Sequence, residues 1–237
     1  MASLQQIFEA IPETRLKNEF RFWVAQSPFA PHGFRRTCPL VGYEYVRAIR
    51  QGDVVVDAGA FTGDYTVYAS RAVGSSGHVV AFEPDPNNLR RLKRNLKGEL
   101  NNVTIINKGL WSHNGTLPFK MGDSGLTSGT TSNSDDIGVN DITVNVARLD
   151  DELEQLGISQ INVLKMDIEG AEIEAIKGAR RTLCENNAYT CIATYHILDG
   201  QTTSGTVEKL LRDMGYHTFS GFPLHLTTYG WKPGGDR

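Results

Sequence analysis

Val54-Val55-Val56-Asp57-Ala58-Gly59-Ala60-Phe61-Thr62-Gly63-Asp64-Tyr65-Thr66 is the stretch whose reading decides the fold. Three β-branched residues in a row read as a strand that is apolar on both faces. Asp57 closes it, Gly59 and Gly63 mark a turn, and a helix is expected over about Tyr65–Val73. Glycines at such a turn permit positive φ and let backbone N–H groups approach a ligand closely. The spacing is D-x-G-x-x-x-G and not G-x-G-x-x-G. A carboxylate at the mouth of the turn repels a pyrophosphate and attracts the ammonium of an amino acid. Asp57, Ala58, Gly59 and Gly63 are therefore expected to bind S-adenosylmethionine (SAM) rather than a dinucleotide.

Moving outward, Val79–Phe82, Val103–Ile106, Ile161–Met166 and Tyr189–Thr194 are further apolar runs, with helical patterns over Pro86–Leu96 and about Thr203–Met214. Such alternation argues for an α/β fold with a parallel sheet covered on both faces. Tyr216–Ser220 and Leu224–Tyr229, joined through Gly221-Phe222-Pro223, suit an antiparallel pair at the end of the chain. Two shorter strand-like pieces, Thr116–Phe119 and Ile142–Val146, flank a polar interval at 120–142 that is either a lid or a disordered insertion. Before the first core strand, residues 1–42 read as an extension: two short helices within 3–25, a Pro-rich loop over 27–39, then a helical pattern over Tyr43–Ile49 opening the main domain, 43–237.

Glu83 stands twenty residues after Gly63, at the end of the second apolar run, followed by Pro84. An acid at that strand tip can accept hydrogen bonds from both hydroxyls of an adenosine ribose. After the fourth core run, INVLKMDIEGAEIEAIKGA (161–179) places Asp167 where the strand meets its loop, with Glu169 and Glu172 close behind. Ligands of open parallel sheets sit outside the carboxyl ends of the strands, at the topological switch point. A strand order 3-2-1-4-5 makes Asp167 a neighbour of Asp57 across that crevice.

The bulk numbers set outer bounds. With 24 Lys+Arg against 27 Asp+Glu, the chain lacks the excess positive charge of a protein that neutralises many phosphates, so nucleic acid is disfavoured as a partner. Cys38, Cys184 and Cys191 are an odd count without CxxC spacing, which suggests a reducing compartment. No apolar run approaches the ~18 residues of a membrane span, and a cytoplasmic protein without a membrane partner is expected.

DAGAFTGDYT, FEPDP, NKGLWSHNG and LKMDIEGAE together resemble the FkbM family of SAM-dependent methyltransferases, within the class I superfamily, over about Tyr43–His196. The resemblance implies a Rossmann-like, seven-stranded, mostly parallel sheet with an antiparallel last strand. It also implies O-methylation of a small-molecule acceptor such as a sugar or polyketide-like hydroxyl. SAM is then held by Asp57, Ala58, Gly59, Gly63, Glu83, Pro84 and Asn107, with Asp167 facing the methionine end or the acceptor. Two positions depart from the family pattern. Thr194 stands where an acid often precedes the histidine, and Asn107-Lys108-Gly109 lacks an acid for the adenine amine.

A hydroxyl acceptor has to lose a proton, and base assistance typically adds about 10²–10⁴-fold. His196, at the end of the fifth core strand, is the first choice as base. Asp167 competes with it, and Glu169 is an orienting partner or metal ligand. Asp167, Glu169 and Asp199 could offer hard oxygen ligands, but without fixed ligand spacing no metal is assigned. A SAM-binding protein without turnover is the alternative from another class, and the glycine spacing disfavours a nicotinamide dehydrogenase.

Overall fold

A computed structural model of the protein describes residues 42–96, 101–120, 129–130, 141–198, 200–221 and 225–234. The chain divides into two units, residues 1–48 with Arg237 and Ile49–Asp236, and the account below is of the second. The helices expected within 3–25, the loop at 27–39 and most of the 120–142 interval lie outside the described residues, as does Asp199.

The first strand, β1 (Val54–Ala58), runs parallel to β2 (His78–Phe82) on one side and to β8 (Val163–Met166) on the other. β2 continues to β3 (Val103–Ile106), and β8 to β9 (Tyr189–Ala193), all parallel. At the far edge β13 (Thr227–Trp231) is antiparallel both to β9 and to β12 (His217–Gly221). The order is β12-β13-β9-β8-β1-β2-β3, the parallel α/β sheet that the apolar runs predict, with the seven strands and antiparallel edge that the family resemblance implies. Connections leave β1 in opposite directions along the sheet, so the switch point falls between β1 and β8.

The helices follow the sequence cues closely. α1 (Asp64–Val73) starts from Gly63, left-handed at φ 94°, a conformation that favours glycine, with a Cβ there pressing on the Leu92 side chain at 2.6 Å. α2 (Pro86–Asn95) is capped by Asp85, whose carboxylate accepts from Asn87 N at 2.6 Å and Asn88 N at 3.4 Å, with Pro86 in the first turn. α3 (Leu149–Gln155), α4 (Glu172–Gly178), α5 (Arg180–Glu185) and α6 (Ser204–Asp213) are the further described α-helices of this unit. Leu149, Leu164, Met166, Ile176, Leu183, Ile192 and Leu211 meet Val56 and Phe82 in the main core.

One feature differs from the sequence reading. Residues 44–50 are not helical: Asp53 draws the chain into a turn, accepting from Arg50 N at 2.8 Å while its own N–H donates to Arg50 O. That local carboxylate bond competes with a helix where the pattern suggested one. The strand-like pieces around the polar interval are strands, as expected, and what the sequence did not specify is that they pair outside the main sheet. β4 (Gly109–Leu110), β5 (Gly115–Lys120), β6 (Gly129–Thr130) and β7 (Asp141–Ala147) form a separate four-stranded sheet, in the order β4-β7-β5-β6. A two-residue pair, β10 (Ile197–Leu198) with β11 (Gln201–Thr202), follows β9. No described helix is long and apolar enough to cross a membrane.

Candidate functional site

The end of β1 is built around a buried ion pair. Asp57 is fully buried and lies in register with Lys165 of β8, whose Nζ reaches its Oδ1 at 2.9 Å. Thr66 Oγ1, from the first turn of α1, donates to Asp57 Oδ2 at 2.6 Å. Lys165 Nζ also donates to Gly59 O at 2.8 Å and Ala58 O at 3.3 Å, so it holds the turn from beneath. Burial works against the Lys165 ammonium, but Asp57 and then Asp167 outweigh it and raise its pKa. The direct attraction of a ligand ammonium expected of Asp57 does not fit this geometry, because the carboxylate has no exposed surface and an ammonium of the chain already occupies it. Lys165 was missed because, within LKM, it reads as one polar break in an apolar strand.

Ala58 pairs with Phe82 on one side and Met166 on the other, so the next residues along the three strands, Gly59, Glu83 and Asp167, stand level. Gly59 is left-handed at φ 77°, and a Cβ on it would lie 1.9 Å from Asp167 O, so only glycine fits between them. The chain turns again at Phe61, a non-glycine residue at φ 52°, and its N–H donates to Glu83 Oε2 at 2.7 Å. The other oxygen, Oε1, accepts from Asp85 N at 2.9 Å. Burial pushes the Glu83 carboxyl up to about 7, the two backbone N–H donors opposing it. Asn107, exposed beyond β3, donates through Nδ2 to Glu83 O at 2.9 Å and Pro84 O at 3.2 Å, bracing the strand tip.

Across β8 the acidic loop folds around one imidazole. Glu172, fully buried at the start of α4, has its Oε1 held by the N–H groups of Ile168 and Gly170, each at 3.2 Å. The same oxygen lies 3.0 Å from His196 Nδ1. His196 Nε2 is 3.3 Å from Glu169 Oε2 and 3.8 Å from Asp167 Oδ1. These are ion-pair distances, although neither ring nitrogen meets hydrogen-bond alignment. Burial lowers the His196 pKa, but Glu169, Glu172 and Asp167 together overcome it and push it up to about 10. Glu169 occupies the left-handed region at φ 55°, which costs a non-glycine residue about 1–2 kcal/mol.

Tyr195 OH donates to Asp167 Oδ1 at 3.1 Å, and burial, followed by Asp167 and Glu169, raises its pKa. His225 Nε2 lies 3.6 Å from Asp167 Oδ2, with its ring 4.8 Å from that of Tyr195. Nothing in the sequence around His225 marks it as part of a site. Only the approach of the segment before β13 to the tip of β8 brings it to Asp167. Thr194, in the place of an expected acid, is buried in the sheet, with its N–H on Leu226 O at 2.8 Å and its hydroxyl 3.0 Å from Thr228 Oγ1. The fold thus gathers Gly59, Phe61 and Glu83 on one flank of the β1 turn, and Asp167, Glu169, Glu172, Tyr195, His196 and His225 on the other.

The family model described as the methyltransferase FkbM domain matches residues 57–218, more than half of the chain. The methyltransferase sdnD of Sordaria araneosa is 28% identical over 192 residues, covering 68% of this chain and 73% of the relative. The hexuronic acid methyltransferase AglP of Haloferax volcanii is 29% identical, covering 56% and 52%. The 2-O-methyltransferase NoeI of Sinorhizobium fredii is 28% identical, covering 56% and 60%, so the chain spans little more than half the length of these last two. Among solved structures, an FkbM methyltransferase from Methylobacillus flagellatus superposes with a TM-score of 0.55 at 18% identity over 91% of this chain and 59% of that one. Aeropyrum pernix fibrillarin, solved with bound S-adenosyl-L-methionine, does so with a TM-score of 0.53 at 15% identity over 88% and 76%, a likeness of fold. By the match from the β1 turn to β12, the chain belongs to the FkbM family of S-adenosylmethionine-dependent methyltransferases.

Proposed function

We propose that the protein methylates a hydroxyl of a small carbohydrate-like acceptor, with SAM held across the ends of β2, β1 and β8. The carrying observation is the level placement of Glu83 and Asp167 on either side of Gly59. The donor set fits the cofactor. Glu83 offers a carboxylate to a ribose diol, and only glycine fits at position 59, where the turn passes against Asp167 O. Pro84 at the tip of β2 and Asn107 just past β3, joined by a hydrogen bond, stand where the adenine end would lie, and Gly63 sets the entry to α1. Asp57 acts through Lys165, keeping the turn in shape. Bound SAM supplies an electrophilic methyl group on a sulfonium.

The chain's own task is then to place a hydroxyl in line with that methyl and to take its proton, alignment alone being worth several kcal/mol. Asp167 stands at the strand tip, partly exposed, with Tyr195 and His225 orienting its two oxygens. It accepts the hydroxyl proton as the new bond forms. His196, the residue favoured from sequence, has each ring nitrogen against a carboxylate, which suits it to positioning Asp167 and Glu169 rather than to receiving a proton. Relatives described as acting on hexuronic acid and as 2-O-methyltransferases support a sugar hydroxyl as acceptor.

The test is calorimetry with S-adenosylhomocysteine, followed by methyl transfer from isotopically labelled SAM to a panel of sugars and uronic acids. Micromolar binding that Glu83→Ala weakens, with label in a hydroxyl-bearing product, is the expected result. Absence of binding by the unaltered protein would refute the proposal. Binding without transfer to any hydroxyl acceptor would favour the reading as a SAM-binding protein without turnover.

A further inference from the structure

Asp167, Glu169 and His196 come from two separate segments, and each offers one ligand atom, all within 4.8 Å of one another. We propose that Asp167 Oδ1, Glu169 Oε2 and His196 Nε2 form a divalent-cation site of the manganese, cobalt or zinc class, which binds and acidifies the acceptor hydroxyl. The proposal deepens the methyl-transfer reading and rests on it for the identity of the acceptor.

The two distances from Nε2 are short enough for one ion to bridge with small side-chain adjustments. Nitrogen–oxygen distances of 3.3 and 3.8 Å from Nε2 fall between the roughly 3.0 Å of adjacent and 4.2 Å of opposite octahedral ligands at bond lengths near 2.1 Å.

The independent observation is the state of the imidazole. The His196 side chain is only 10% exposed, both its nitrogens are shielded from solvent, and neither is in an aligned hydrogen bond. The ring is held at ion-pair distance by carboxylates without an aligned hydrogen bond to any of them, an arrangement that an ion between Nε2 and the carboxylates of Asp167 and Glu169 would satisfy better. Behind the ring stands Glu172, fully buried, with one oxygen pinned by two backbone N–H groups and lying 3.0 Å from Nδ1. A carboxylate on the far nitrogen is the usual support of a metal-bound histidine, and the ion would displace the proton from Nε2 while the Nδ1 proton stays facing Glu172.

Charge points the same way. Three carboxylates surround one imidazole, and Lys165, the nearby buried cation, is already paired with Asp57. A doubly charged ion that replaces the Nε2 proton offsets this negative charge further. The mixed set of two carboxylate oxygens and one imidazole suits manganese, cobalt or zinc better than calcium, which prefers six to eight oxygens. Positions left open by three protein ligands can take two neighbouring oxygens of the acceptor, a vicinal diol or a hydroxy acid, which narrows the substrate class to chelating sugars. A bound hydroxyl loses its proton more readily. Its oxygen then forms the new C–O bond as the C–S bond breaks with the electron pair left on sulfur, and the proton passes to Asp167 Oδ2.

The experiment uses the full chain, freed of metal by chelation and titrated with Mn²⁺ by electron paramagnetic resonance, with S-adenosylhomocysteine binding measured alongside. One ion per chain is expected. Glu169→Gln and His196→Asn should weaken it at least about 100-fold, and Glu172→Gln about 10–100-fold, with S-adenosylhomocysteine affinity retained as the sign of an intact fold. Saturable binding of none of Mn²⁺, Co²⁺ and Zn²⁺, or equal binding by the unaltered chain and both ligand variants, would overturn the site while leaving the methyltransferase reading in place. Ion binding lost in both ligand variants, in a chain that does not bind S-adenosylhomocysteine, would uphold the site and remove that reading instead.

Discussion

Binding of the cofactor should expel a proton from Glu83. Its carboxyl is pushed up to about 7 by burial, so near neutral pH about half of the free protein carries it protonated. Two ribose hydroxyls donating to the carboxylate favour its charged form. If they contribute about 3 kcal/mol together, at the low end for bonds to a charged group, the pKa falls by about two units in the complex. About half a proton should then be released on binding at pH 7. Affinity should weaken about 20-fold between pH 8 and pH 5.5, because the acid form must first ionise. Calorimetry with S-adenosylhomocysteine in buffers of different ionisation enthalpy reads the proton count directly. Glu83→Gln should bind about 10–100-fold more weakly at pH 8 and lose the pH dependence, which separates this group from the ligand's own amine. An affinity that is flat with pH in the unaltered protein, with no proton released, would refute both the ionisation and the ribose contact.

Asp167→Asn should lower methyl transfer about 10²–10⁴-fold while S-adenosylhomocysteine still binds, as measured by single-turnover kinetics; an unchanged rate would remove Asp167 as proton acceptor. Lys165→Met leaves the Asp57 carboxylate buried without its cation and should destabilise the protein by about 3–5 kcal/mol in urea unfolding. Gly59→Ala sets a Cβ against Asp167 O and imposes a left-handed alanine, so thermal unfolding should show a loss above about 3 kcal/mol together with loss of S-adenosylhomocysteine binding. Glu83 and His196 both have raised pKa values, so each stabilises the fold more when protonated. Metal-free protein should lose stability first as pH rises from about 4.5 through 7, as the buried Glu83 ionises. It should lose more from about 6.5 through 10, as the imidazolium held by Glu169 and Glu172 loses its proton.

Local chemistry determined most of the architecture. β-Branched runs such as Val54–Val56, the caps at Gly63 and Asp85 and the spacing of the apolar runs act over a few residues, so they can be read along the chain. The placing of Glu83 at a strand tip and of Asp167 just past another follows from those same boundaries. What the tertiary structure decided is what each side chain faces. Asp57 turns inward because Lys165, 108 positions away, reaches it across the β1–β8 register. Thr194 is buried in the sheet because β13 returns antiparallel beside β9. His225 and Tyr195 meet Asp167, and His196 settles among three carboxylates, only once the ends of β8, β9 and β13 lie together. Short-range bonds specify elements within a dozen residues, whereas the field around a charge is summed over whatever the fold brings near it, and that sum is not written at any one position.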